Sequence, residues 1–377
     1  MEKVTNPFII RGSIPEAYFC GREKETEHLV RYLTNGNNVV LHAPRRIGKS
    51  KLIEHCFQQP AIKGKYYTIF VDILQTGNLQ EFTYEFGKAV FEATASLGNK
   101  MMKQFAQIVQ SLHTDYTVDP FTGLPKISMS IGHIENAIYT IEEVFRFLEQ
   151  ADKPCIVAID EFQQINQYGD SLIEATLRTH VQYCTNTHFI FSGSQRHLMG
   201  KMFTSPARPF YQSVAIYNLP LLPKDKYIEF CVRLFESHGK HVSPEVPHAL
   251  YERFEGVTYY MQRVMNELFA RTSSDGTCSV EQIEEATRYI ILTSANTYED
   301  LMYQLPEKQS LVLRAIARDG KAKNLTSGAF IKRHALQSAS SVKSAVPALL
   351  DKGLITSDKG IYQVYDKFLE MWLQFNM

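Results

Sequence analysis

Over the first two hundred residues, short runs of consecutive apolar positions alternate with longer stretches whose apolar residues recur every three or four positions. The short runs, at 38–42, 66–74, 155–160, 188–192 and 214–219, are rich in β-branched and aromatic residues, the pattern of strands buried on both faces. Helical patterns separate them at 48–57, 79–97, 141–150 and 169–185. Strands alternating with helices predict right-handed crossovers and a parallel sheet covered on both sides, an α/β fold. Residues 98–135 read as an insertion. It carries turn signals at Asp119-Pro120 and Thr122-Gly123, and an alternating stretch over 126–131 that predicts a small hairpin.

After Pro220 the pattern turns to helices only, at 224–237, 244–254, 258–272, 280–296 and 298–305. A third unit begins near Pro306, with helices at 309–318, 326–334 and 340–352, then strands at 354–357 and 361–364. Three helices followed by a hairpin outline a winged helix-turn-helix. Pro347 sits inside the third helix and is expected to kink or shorten it. The predicted division is 1–222, 223–305 and 306–377, which suits a chain of 377 residues, too long for one ordinary core.

Composition narrows the class. Hydrophobic residues make up 44% of the chain, and 40 basic residues balance 40 acidic ones, so no global field points to nucleic acid or membrane. The balance hides an asymmetry: the stretch from Pro306 onward carries a net +5, the first 305 residues −5. The six cysteines are scattered with no CxxC pair and read as reduced core residues. No apolar run approaches the roughly 20 residues of a membrane span, and the N-terminus lacks a signal core. A cytoplasmic location is expected.

The strongest chemical signal is Ala43-Pro44-Arg45-Arg46-Ile47-Gly48-Lys49-Ser50, with Lys51 next, set between a predicted strand and a predicted helix. It fits the P-loop pattern except that Ala43 replaces the first glycine, where glycine's backbone freedom is normally an advantage. In such a loop backbone N–H groups turn inward and the helix dipole adds positive potential, a setting for phosphates. Lys49 is expected to reach the β- and γ-phosphates of ATP, and Ser50 to ligate Mg2+. The strand 155–160 ends in the carboxylates Asp160 and Glu161. Asp160 is read as the second magnesium partner and Glu161 as the base that polarises the attacking water. A third strand ends in Ser192-Gly193-Ser194, and Ser192 or Ser194 is the candidate sensor of the γ-phosphate; a simple Ser-Gly turn is the alternative.

Together the segments Gly21-Arg22-Glu23, Pro44 to Ser50, Ile159-Asp160-Glu161-Phe162 and Phe191-Ser192-Gly193-Ser194 resemble the archaeal-type ATPase family, in the STAND branch of AAA+ P-loop ATPases. The resemblance runs on through Gly256-Val257-Thr258 of a helical lid, with threonine where the family reads proline, into the winged helix. It implies a slow ATPase that uses nucleotide as a conformational switch. It also implies that Arg22 lies at the edge of the nucleotide site. Arg263 is a candidate lid arginine, and Arg196 and Arg208 are candidate fingers, though each of the last two also reads as a solvated loop residue.

Two readings of the tail remain. Lys332, Arg333, Lys343 and Lys359, with His334 nearby, suit phosphate contacts with DNA, in a DNA-binding ATPase that would resemble replication initiators. The third helix, with Ser340, Ser341, Lys343 and Ser344, is poor in base-reading side chains, which favours docking to a protein partner or a second copy. Trp372 is read as core. A non-hydrolysing ATP-binding scaffold is the third alternative.

Overall fold

In the computed structural model, the described residues are 5–95, 104–105, 107–109, 114–118, 125–129, 136–169 and 172–376. In chain order the strands of the first part are β1 (Val39–His42), β2 (Tyr67–Asp72), the antiparallel pair β3 (Thr114–Val118) and β4 (Pro125–Met129), β5 (Cys155–Asp160), β6 (Thr187–Gly193) and β7 (Ala215–Asn218). Five of them form one parallel sheet in the order β2-β5-β6-β1-β7. The central strands β5 and β1 are buried at every residue, because helices cover both faces. The edge strands differ from expectation: β2 and β7 alternate between more and less buried residues, since an edge strand has one neighbour and incomplete cover.

Helices α1 (Glu23–Thr34), α2 (Lys49–Phe57) and α3 (Leu79–Ala95) and those at Ala137–Glu149, Leu172–Tyr183 and Arg196–Thr204 complete this part. The first and last of them carry amphipathic patterns that the sequence reading passed over. Residues 126–129 of the stretch expected to form a hairpin lie in β4, which pairs with β3. The turn signals at 119–120 and 122–123, and residues 130–131, lie outside the described residues. Beneath the sheet's carboxyl end, Phe162, Phe191, Phe203 and Phe210 form an aromatic cluster with centroids 4.6–5.8 Å apart. Truncating one such buried ring removes about 3–5 kcal/mol.

By contacts the described chain divides into two units, residues 11–223 and residues 5–10 together with 224–376. Residues 5–10, grouped above with the first 222, pack in the second unit. Phe8 is fully buried among Phe230, Phe235 and Phe269. Asn6 and Asn266 exchange side-chain-to-carbonyl hydrogen bonds that hold the strap, Asn6 Nδ2 to Asn266 O and Asn266 Nδ2 to Phe8 O.

The second unit is not helices only. His241–Val242 and Thr277–Cys278 pair as a two-residue parallel ladder. Its tail has the winged-helix outline, with Ala322–Lys323 adding a third strand to the Ile355–Asp358 and Ile361–Val364 hairpin. Pro347 does not end its helix, which runs from Ala339 to Asp351. A Ser338–Ser341 capping box secures the start of that helix, and Val342, Ala345 and Leu349 bury one face. These contacts outweigh the one backbone bond proline removes. The tail's last helix, Lys367–Phe375, packs on the helices before it: Phe368 meets Phe254 and Tyr260 edge-on, and Trp372, buried as expected, meets Tyr298. All six cysteines are free thiols. Among the described residues no helix is long and apolar enough to cross a membrane.

Candidate functional site

The loop between β1 and α2 turns through two left-handed residues, Arg46 (φ 68°) and Gly48 (φ 91°). Ala43 is not among the left-handed residues, so alanine is accommodated there without strain. The turn delivers Lys49 to the first position of α2, where its side chain is buried. Lys49 Nζ donates to the carbonyls of Ala43 and Pro44, at 3.0 and 3.1 Å. Burial pulls its pKa down from the ordinary lysine value, while Glu161 and Asp160 act to raise it.

β5 brings the carboxylates to the same place. Ser50 Oγ donates to Asp160 Oδ2 at 2.5 Å, and the Glu161 backbone N–H caps Asp160 Oδ1 at 3.0 Å. Phe162 is buried in the aromatic cluster, and Glu161 before it takes a left-handed conformation (φ 54°) at the end of β5. There Glu161 Oε2 accepts from Ser194 Oγ at 2.6 Å and from Gln163 Nε2 at 2.5 Å. Arg45 Nε donates to Ser194 Oγ at 2.9 Å and stands 3.9 Å from Glu161 Oε1.

β6 lies between β1 and β5, as the sensor reading requires. Of its two serines, Ser194 joins the Glu161 cluster. Ser192 is fully buried opposite Leu41, and its Oγ has no hydrogen-bond partner. Lys51 pairs with Glu54 on the surface of α2. Arg22 is buried: it is 5% exposed and donates to Glu25 Oε1, Pro220 O and Ile47 O, so it braces the loop between β1 and α2 through Ile47. Arg208 is partly buried, paired with Glu174 and bonded to Asn166.

Two members escaped the sequence reading. Gln163 reaches Glu161 because Gly193 opposite has no side chain: a Cβ there would stand 2.5 Å from Gln163 Oε1 and from Met199 Sδ. Asp72 ends β2 in register with Asp160, a second strand-end carboxylate, and a strand of alternating apolar residues closing on aspartate was its available signal. Burial raises its pKa, and so do Asp160 and Glu161, whereas Arg45 and a bond from the Leu74 N–H lower it.

Residues 19–264 match a family model described as ATPase domain predominantly from Archaea, and residues 296–375 match one described as probable winged helix domain. Among solved structures the chain is similar to the Walker-type ATPase PABY2304 of Pyrococcus abyssi, at 17% identity and a TM-score of 0.65, over 98% of this chain and 99% of that one. It is similar to the ORC1 protein of Aeropyrum pernix in complex with DNA, at 14% identity and TM-score 0.57, over 99% and 97%. The ORC2 protein of the same organism, in an ADP form, gives 13% and 0.55, over 98% and 97%. These likenesses are to folds. No curated protein matches the chain in sequence.

Proposed function

The chain belongs to the family of ATPase domains found predominantly in Archaea, and from that premise we propose that it hydrolyses magnesium-bound ATP at the Gly48-Lys49-Ser50 loop and uses the nucleotide as a conformational switch. The observation that carries the reading is the Ser50–Asp160 contact at the start of α2. A hydroxyl and a carboxylate already within reach of each other are the hard oxygen donors a largely hydrated magnesium ion accepts. Magnesium held there would neutralise charge on the β- and γ-phosphates.

The chain's own groups supply the rest. The backbone from Ala43 to Lys51 cradles the phosphates, and Lys49 exchanges two carbonyl oxygens for phosphate oxygens. Glu161 accepts the proton of the attacking water, which forms the new P–O bond as the bond to the bridging oxygen breaks. Ser194, through its contact with Glu161, is the better placed of the two serines to register the γ-phosphate. Arg22 acts on the site through the Ile47 carbonyl rather than by direct contact. The core, lid and winged-helix division at 222 and 305 belongs to this proposal.

The tail is assigned to docking with a protein partner or a second copy. Arg333 and His334, two of the groups a DNA surface would use, are engaged by Asp319. DNA contact, in the manner of ORC1, is the second reading, and the local +5 charge is what supports it. Isothermal calorimetry of Lys49→Ala tests the whole assignment. We expect severe loss of Mg·ATP binding, and wild-type affinity in the variant would refute the phosphate site.

A further inference from the structure

Arg45 belongs to the phosphate loop, yet its side chain reaches across to the end of β6. Its Nε donates to Ser194 Oγ and stands 3.9 Å from Glu161 Oε1, while Ser194 Oγ donates to the other oxygen of the same carboxylate. The guanidinium is therefore placed between the loop that takes the phosphates and the carboxylate that faces the attacking water. Its charge, with those of Glu161 and Asp160, is felt at Lys49. Whatever terminal phosphate lies between Lys49 and Glu161 must also lie beside Arg45.

We infer that Arg45 distinguishes ATP from ADP: its guanidinium leaves Glu161 and Ser194 for the γ-phosphate oxygens, and in leaving withdraws its positive charge from the carboxylate that faces the water. This rests on the nucleotide reading above. Three observations set the direction of the exchange. The Arg45–Glu161 approach of 3.9 Å is longer than a hydrogen bond, and the arginine side chain is 33% exposed, so the pair is of the weakly held kind. A phosphate offers the planar fork two charged acceptors at once, which the Ser194 hydroxyl and a carboxylate 3.9 Å away do not. Glu161 keeps Gln163 and Ser194 as neutral donors when the arginine departs, so the carboxylate stays in place as its charge partner is withdrawn. The α- and β-phosphates rest on backbone N–H groups and Lys49, which do not require Arg45. ADP therefore gains nothing from the exchange, and a ligand shifts such an equilibrium only by its differential affinity for the two states.

The experiment is calorimetric titration of the full chain with Mg·ADP and with the magnesium complex of the non-hydrolysable imido analogue of ATP. Wild type, Arg45→Gln and Arg45→Lys are compared. In Arg45→Gln we expect the analogue to bind about 10- to 100-fold more weakly, as loss of a charged hydrogen-bonded contact implies, with ADP affinity within about threefold of wild type. Arg45→Lys, which keeps the charge but not the fork, should retain part of the preference. An unchanged ratio of the two affinities in Arg45→Gln overturns the inference while leaving the phosphate site standing. Parallel weakening of both nucleotides also overturns it, since that reports damage to the loop. Failure of the wild type to bind either nucleotide removes the nucleotide reading itself, and this inference with it.

Discussion

Ser50 and Asp160 are 110 positions apart in the chain, and their side chains meet at 2.5 Å. One lies in the first turn of α2 and the other closes β5, with β6 and β1 making up the sheet between them. Replacing the carboxylate by an amide keeps the shape and removes the charge. Asp160→Asn should therefore weaken ATP binding in the presence of magnesium and leave metal-free binding little changed. Titrations of ATP at a series of magnesium concentrations check this, and an unaltered magnesium dependence would contradict the metal role.

Glu161→Gln preserves the side chain's size and its capacity to accept from Ser194 and Gln163, but not its basicity. Turnover should fall by the roughly 10²–10⁴-fold typical of a lost general base, with ATP retained. Single-turnover phosphate release is the measurement. A rate equal to wild type would remove Glu161 from the chemistry.

Tyr260 ties the tail to the helices before it. Its hydroxyl accepts from the Lys367 N–H at 3.1 Å and donates to the Tyr365 carbonyl at 3.2 Å, and its ring meets Phe368. Tyr260→Phe removes both hydrogen bonds and should destabilise the second unit by about 1–3 kcal/mol. Phe368→Ala, which opens a cavity, should remove about 3–5 kcal/mol. Scanning calorimetry of the full chain would register both, and a smaller loss for Phe368→Ala than for Tyr260→Phe would show the tail is not packed as described.

For the tail, docking and DNA binding make opposite forecasts about salt. Four phosphate contacts by Lys332, Arg333, Lys343 and Lys359 would give a slope of log affinity against log salt near about −3 to −4. Since Asp319 already holds Arg333, we expect weak duplex binding by the full chain and little change when all four become glutamine. Fluorescence anisotropy across a salt series decides it. Tight binding that loses its salt dependence in the quadruple variant would favour DNA.

Where each element lies was largely decided by the sequence itself. A run such as Cys155–Asp160 has to be buried along its whole length and to surface at a charged end, and Gly48 supplies the left-handed turn that a strand–loop–helix needs. Those are local demands, so a linear pattern displays them, and they put Lys49 and Ser50 at a helix start and Asp160 and Glu161 at a strand end. Tertiary structure alone decided which polar groups meet. Ser194 rather than Ser192 reaches Glu161, Gln163 fits against the bare face of Gly193, Arg22 is buried behind Ile47, and Pro347 is carried inside a helix. Residues 5–10 likewise join helices more than two hundred positions away in the chain. Such contacts depend on strand register, on side-chain reach and on which element crosses over which. Hydrophobic periodicity repeats over a few residues and carries no record of a neighbour one or two hundred positions distant.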